Sequence, residues 1–197
     1  MKSKNQFMST KQMVLAGVMT ALVIVFQLLA TFTAIFGPFS TAIALVPIII
    51  GAALCGPIIG AWLGLVFALV VLFTGGANLF FAFSIFGTLV TVIGKGMACG
   101  FVAGIVYKAL CKVNDILAAV VASIVCPVTN TGVFLLGGLI FFYKDAQKIG
   151  EIAKIPGSGA AVFWGLAMGN FIFELVVCLV LSPVVVKLIN IRKKQIK

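Results

Sequence analysis

Apolar residues run along this chain in long blocks broken by short clusters of glycine, proline or charge. Blocks of that length predict membrane-spanning helices rather than the one-sided stripes of soluble ones. Six helices are predicted, over about residues 12–36, 41–54, 57–73, 79–110, 115–142 and 159–191. Gly37-Pro38 with Phe39-Ser40, Gly56-Pro57, and Thr74-Gly75-Gly76-Ala77-Asn78 mark the first breaks. The first, fourth, fifth and sixth helices have the roughly 20 residues needed to cross about 30 Å of hydrocarbon. The second and third are shorter, so each is tilted, strongly packed against protein, or part of a broken-helix pair. A four-span arrangement, with these two re-entrant, orients the chain ends in the same way.

Strong polar residues interrupt the later blocks. Asn170 and Glu174 lie near the middle of the last one, four residues apart and therefore on one helix face. A carboxylate at membrane depth costs about 2.5–3.5 kcal/mol on insertion scales, so that face must meet protein, water or a ligand. The fourth helix carries Lys95, and the fifth carries Thr129-Asn130-Thr131 just after Pro127. At about 1.5 Å per residue all of them fall in the middle third of the membrane. Two readings stand side by side. One is a buried Lys95–Glu174 ion pair that fixes helix packing. The other is a small-molecule site in which Lys95 meets an anionic group, Asn130 and Asn170 supply donors and acceptors, and Glu174 accepts a hydroxyl or amide proton. Thr129 belongs to the same site, and Trp164, Phe83, Phe86 and Phe134 are candidate walls for an apolar part of the ligand.

Composition agrees with the pattern. Of 197 residues 63% are hydrophobic and 9% charged, where a soluble domain carries about a quarter charged. A net charge of +10 would otherwise point to nucleic acid, but the basic residues sit at the ends of apolar blocks, where headgroups and orientation signals belong. Ten of the fourteen basic residues fall on one side of a six-span arrangement: Lys2, Lys4, Lys11, Lys108, Lys112, Lys187, Arg192, Lys193, Lys194 and Lys197. The positive-inside rule then places both termini in the cytoplasm. The whole chain, 1–197, reads as a single transmembrane domain with no leader peptide to remove.

Several chemistries have no residues to support them. There is no histidine, and Cys55, Cys99, Cys111, Cys126 and Cys178 are scattered without metal-ligand spacing, so no metal, cofactor or acid–base catalysis is expected. Gly94-Lys95-Gly96 lacks the spacing and the Ser or Thr of a P-loop, so any ATP hydrolysis must come from another subunit. Small residues recur four apart as Gly56/Gly60/Gly64 and Gly96/Gly100/Gly104, rows that let helix backbones approach within the bundle. Ala16/Thr20 and Gly17/Ala21 form similar pairs near one end of the first helix, where an outside partner can dock.

With these residues in place, the chain resembles the substrate-binding (S) component of an energy-coupling factor (ECF) vitamin transporter, most closely the riboflavin- and pantothenate-type members. The resemblance rests on the length, the two short middle helices, Ala52-Ala53-Leu54-Cys55-Gly56-Pro57-Ile58-Ile59-Gly60-Ala61, Thr129-Asn130-Thr131-Gly132-Val133, and Asn170-x-x-x-Glu174 followed by Ser182-Pro183. It implies a bundle of six transmembrane helices in the plasma membrane that binds a water-soluble vitamin and works with a transmembrane coupling protein and two ATPase subunits. It further implies a toppling motion that presents the ligand inward. The family's Ala-x-x-x-Ala contact motif for the coupling protein is replaced here by Ala16-x-x-x-Thr20 and Gly17-x-x-x-Ala21. The Thr-Asn-Thr and Asn-x-x-x-Glu motifs are most similar to pantothenate-binding members, with riboflavin next. The rival reading is an ion-coupled secondary carrier with Glu174 as its proton site.

Overall fold

The structure, a computed structural model, describes residues 10–33, 42–157 and 159–196, without the side chains of 33, 42, 190 and 192–196. Its helices are α1 (Thr10–Thr33), α2 (Ala42–Cys55), α3 (Pro57–Phe73), α4 (Asn78–Phe81), α5 (Ile85–Leu110), α6 (Asp115–Phe141), α7 (Ala146–Ala153) and α8 (Ala160–Ile196), with a 3-10 turn at Tyr143–Asp145. No strand occurs among the described residues. Four helices, α1, α5, α6 and α8, are long and apolar enough to cross a membrane, and α2 and α3 are shorter apolar helices. This is the expected all-α membrane protein. The predicted end of the first helix at 34–36, the Gly37-Pro38 break, Phe39-Ser40 and the basic residues Lys2, Lys4 and Lys197 lie outside the described residues.

Short α2 is the centre of the bundle. It touches α1, α3, α5, α6 and α8, and Ala44, Leu45, Ile48 and Ile49 are fully enclosed. An apolar surface on every side suits a helix packed against protein over most of its length, with Ile43 exposed at its start. It ends at Gly56, whose positive φ of 98° strains any residue with a side chain, and Pro57 opens α3 at a position where no N–H is needed.

α3 and α5 run antiparallel at backbone contact. A Cβ built on Gly60 or Gly64 would strike the carbonyl of Gly100 or Gly96, and one on Gly104 would come within 2.6 Å of the Pro57 Cα. The two predicted rows of small residues thus face each other, with Gly56 serving as the turn before the helix rather than as part of its packing face.

Local hydrogen bonds explain where the predicted bounds hold and where they fail. Pro57 and Asn114 set the starts of α3 and α6 as read from the sequence; Asn114 caps α6 by accepting from the amides of Ile116 (2.8 Å) and Leu117 (3.2 Å). The single helix predicted over 79–110 is instead two. Ser84 has extended backbone, its hydroxyl oxygen accepts from the Gly87 amide at 3.1 Å, and α5 starts after it. α7 was not predicted at all; it lies in the connection after α6 and ends at Lys154 in the left-handed region, with the Ile155 amide reaching back to the Gly150 carbonyl. α8 runs past its predicted end at 191 and through Pro183. That proline cannot donate to the Leu179 carbonyl, and the Ser182 hydroxyl donates to it at 2.8 Å instead.

The close approach of α3 and α5 gives a direct test. Gly64→Ala should lower stability by about 1–3 kcal/mol, the usual penalty of overpacking. Gly169→Ala, where a new Cβ meets nothing within 4 Å, should be neutral or stabilise by up to about 1 kcal/mol. Thermal unfolding in detergent compares them, and equal midpoints would show that the two backbones are not in contact.

Candidate binding site

α6 and α8 also pack antiparallel, and their polar residues meet. Glu174 is completely buried, with no exposed surface. Asn170, one turn earlier on α8, donates from Nδ2 to Glu174 Oε1 at 2.8 Å. Asn130 on α6 donates from Nδ2 to Glu174 Oε2 at 3.1 Å and to Oε1 at 3.4 Å. Two amides thus supply the donors that a carboxylate needs once it leaves water. The carbonyl oxygen of Asn130 is itself buried and has no hydrogen-bond partner among the described residues.

Lys95 stands across from this group on α5. Its Nζ lies 5.6 Å from the centroid of the Phe134 ring, within cation–π range. Phe134 meets Phe80 edge-on (5.6 Å between centroids, 82° between planes), and Phe80 meets Phe142 at 5.2 Å and 64°.

Two cavities share Lys95 and Phe134 as a common wall. One, of about 330 Å³, is bounded by Lys95, Asn130, Thr131, Phe134 and Asn170, with Leu166 and Ala167. The other, of about 390 Å³, lies toward the turn around α4 and is bounded chiefly by Ala77, Phe80, Thr88, Thr91, Phe134 and Phe142. A polar compartment with a cation therefore adjoins an aromatic one.

The predicted site residues divide according to helix phase. Lys95, Asn130 and Asn170 come together around the polar cavity, and Glu174 sits behind the two amides without lining either cavity. Thr129 is partly buried but lines neither; Thr131, two residues on, does. Trp164 is 52% exposed and lines neither, because the inward face of α8 is made by Phe163, Leu166, Ala167, Asn170 and Glu174, three or four residues apart. Phe86 is 70% exposed, and Phe83 packs in an outer cluster with Phe142, Ile149 and Phe163. Thr88 and Thr91 were not predicted as walls. The signal was present, since they precede Lys95 by seven and four residues and share its helix face.

The proposed partner surface on α1 also divides. Thr20 donates to the Ala16 carbonyl at 2.8 Å and accepts from the Trp62 indole at 3.3 Å, so that pair leans on α3. Gly17 and Ala21 are exposed, and a Cβ at Gly17 meets nothing within 4 Å.

The bundle thus carries a polar layer beside two adjoining cavities. The chain belongs to the family described as "ECF transporter, substrate-specific component", whose model matches residues 11–186. It is therefore a vitamin-type substrate-binding subunit of a membrane transporter, not an enzyme. Neither a curated protein nor a solved structure matches the chain.

The Glu174 network is testable apart from any ligand. Asn130→Leu should cost about 1.5–3 kcal/mol, the range for a hydrogen bond to a charged group, whereas Thr129→Val should fall within about 1 kcal/mol of wild type. Thermal unfolding in detergent reads both. Equal stability of the two variants would show that Asn130 does not support the carboxylate.

Proposed function

We propose that this chain is the high-affinity vitamin binder of an ECF transporter, with pantothenate the favoured ligand and riboflavin next. The ligand's anionic end meets Lys95, its hydroxyl and amide groups meet Asn130 and Asn170 in the layer backed by Glu174, and its apolar part extends toward Phe134 and Phe80. The observation that carries this reading is the pair of cavities meeting at Lys95, one polar and one aromatic. Pantothenate is an anion that combines hydroxyl, amide and branched alkyl groups, which matches both compartments.

In this reading the chain forms one domain of six spans in the plasma membrane, with α2 and α3 as the short pair and both termini in the cytoplasm. The excess of basic residues at the corresponding helix ends supports that orientation. Lacking an ATP site of its own, the subunit docks on a transmembrane coupling protein with two ATPases. The exposed Gly17/Ala21 face of α1 is the proposed contact, because small side chains there allow close helix approach in lipid.

Mass spectrometry of the purified protein should find a bound vitamin. Lys95→Ala and Asn170→Ala should each weaken its binding by at least about tenfold, as expected when a buried polar contact is lost, with helical circular dichroism unchanged. An empty wild-type protein that instead supports flux driven by a pH gradient would favour the Glu174 carrier. Gly17→Trp should leave binding intact and abolish uptake in cells that supply the ATPase module. Uptake at the wild-type rate in that variant would remove α1 as the docking face.

A further inference from the structure

Glu174 is the most buried charge near the site, yet it lines neither cavity. It accepts from the amide nitrogen of each neighbouring asparagine. A side-chain amide has a donor end and an acceptor end, and an ionised carboxylate can only accept. Glu174 therefore decides which way both amides face. With their NH₂ groups turned to the carboxylate, the carbonyl oxygens are the ends left for other partners. At Asn130 that oxygen is buried, in a residue that is 3% exposed and lines the polar cavity, and it has no hydrogen-bond partner among the described residues. A buried acceptor without a donor costs free energy until something supplies one.

We infer that Glu174 is a positioning residue that holds Asn130 with its carbonyl oxygen toward the cavity, so that the site selects ligands carrying a hydroxyl or N–H donor at that point. Lys95, a donor with no acceptor capacity, sets the complementary requirement on the opposite wall. The ligand must offer an acceptor or anion to Lys95 and a donor to Asn130, and a molecule with acceptors at both points is rejected. The inference rests on the polar cavity being the vitamin site. It assigns Glu174 no contact with the ligand, and it makes Asn130 an acceptor rather than a donor.

The experiment has a ligand arm and a ligand-free arm, both on the full chain in detergent. In the first, calorimetry compares pantothenate with its N-methylated bis-methyl ether, which keeps the oxygens and removes both the hydroxyl and the amide N–H donors. Wild type should bind the ether at least about tenfold more weakly, because the Asn130 oxygen then goes without a donor. In Glu174→Leu no acceptor holds the NH₂ of Asn130, which can turn it toward the cavity, and the penalty for the ether should shrink to about threefold or less. Equal affinity of wild type for both compounds would overturn the acceptor role. An undiminished penalty in a folded Glu174→Leu would overturn the positioning role.

The second arm needs no vitamin and no change at the site. The chain has two glutamates, Glu151 and Glu174, and Glu151 is exposed. Glu151→Gln protein grown with ¹³C-labelled glutamate therefore reports Glu174 by its infrared carboxyl band. An ionised carboxylate is the expected result. A protonated carboxyl would donate rather than only accept, which overturns the inference. If neither pantothenate nor riboflavin binds wild type, the vitamin reading fails while the infrared band still decides how the amides are held.

Discussion

A carboxylate sealed from water inside a helical bundle must be surrounded by donors, and Glu174 draws its donors from its own helix and from α6. That requirement ties the register of α8 to that of α6. Sliding one helix past the other by a single residue would swing Asn130 off the inward face and leave the carboxylate short of a donor. The alignment that satisfies Glu174 also brings Asn170, Leu166 and Ala167 to the cavity wall. Phe163 then packs where a Cβ on Gly138 would come within 2.8 Å of its ring.

The opposite side of the site depends on a different kind of contact. Lipid offers no hydrophobic incentive for two helices to associate, so α3 and α5 rely on closeness. Glycines on both allow the backbones to touch, and α5 is held with one face against α3. Its Thr88, Thr91 and Lys95 then fall on the side toward α6. α2, apolar all round, fills the middle and touches five helices. The cavities are what remains between a tightly packed half and a polar half.

How much of this was legible in the sequence depended on the range of the forces involved. Helix existence and the all-α membrane class followed from block length, and the break at Gly56-Pro57 was readable because a missing N–H acts locally. Ser84 was a local signal too, overlooked because the aromatic residues on either side of it keep the stretch apolar. α7 was missed because eight residues form a helix chiefly through packing on Phe142, Val162 and Phe163, contacts that no local pattern announces. Within the candidate site, Lys95, Asn130, Asn170 and Glu174 stood out because each is costly in lipid. Trp164 and Thr129 were chosen for chemistry, but helix phase turned them aside. Thr88 and Thr91 carried a readable spacing, whereas the role of Phe80 depended on a fold of the chain around α4.

α8 is one unbroken helix of 37 residues, about 55 Å at 1.5 Å per residue, and so longer than the hydrocarbon it crosses. The Ser182 hydroxyl repairs the ladder where Pro183 would have loosened it. The segment bearing Asn170 and Glu174 is thereby continuous, within one helix, with the basic stretch from Lys187 onward. Basic residues at a helix end belong among anionic headgroups, so in one continuous helix the depth of that end and the depth of the polar layer are linked.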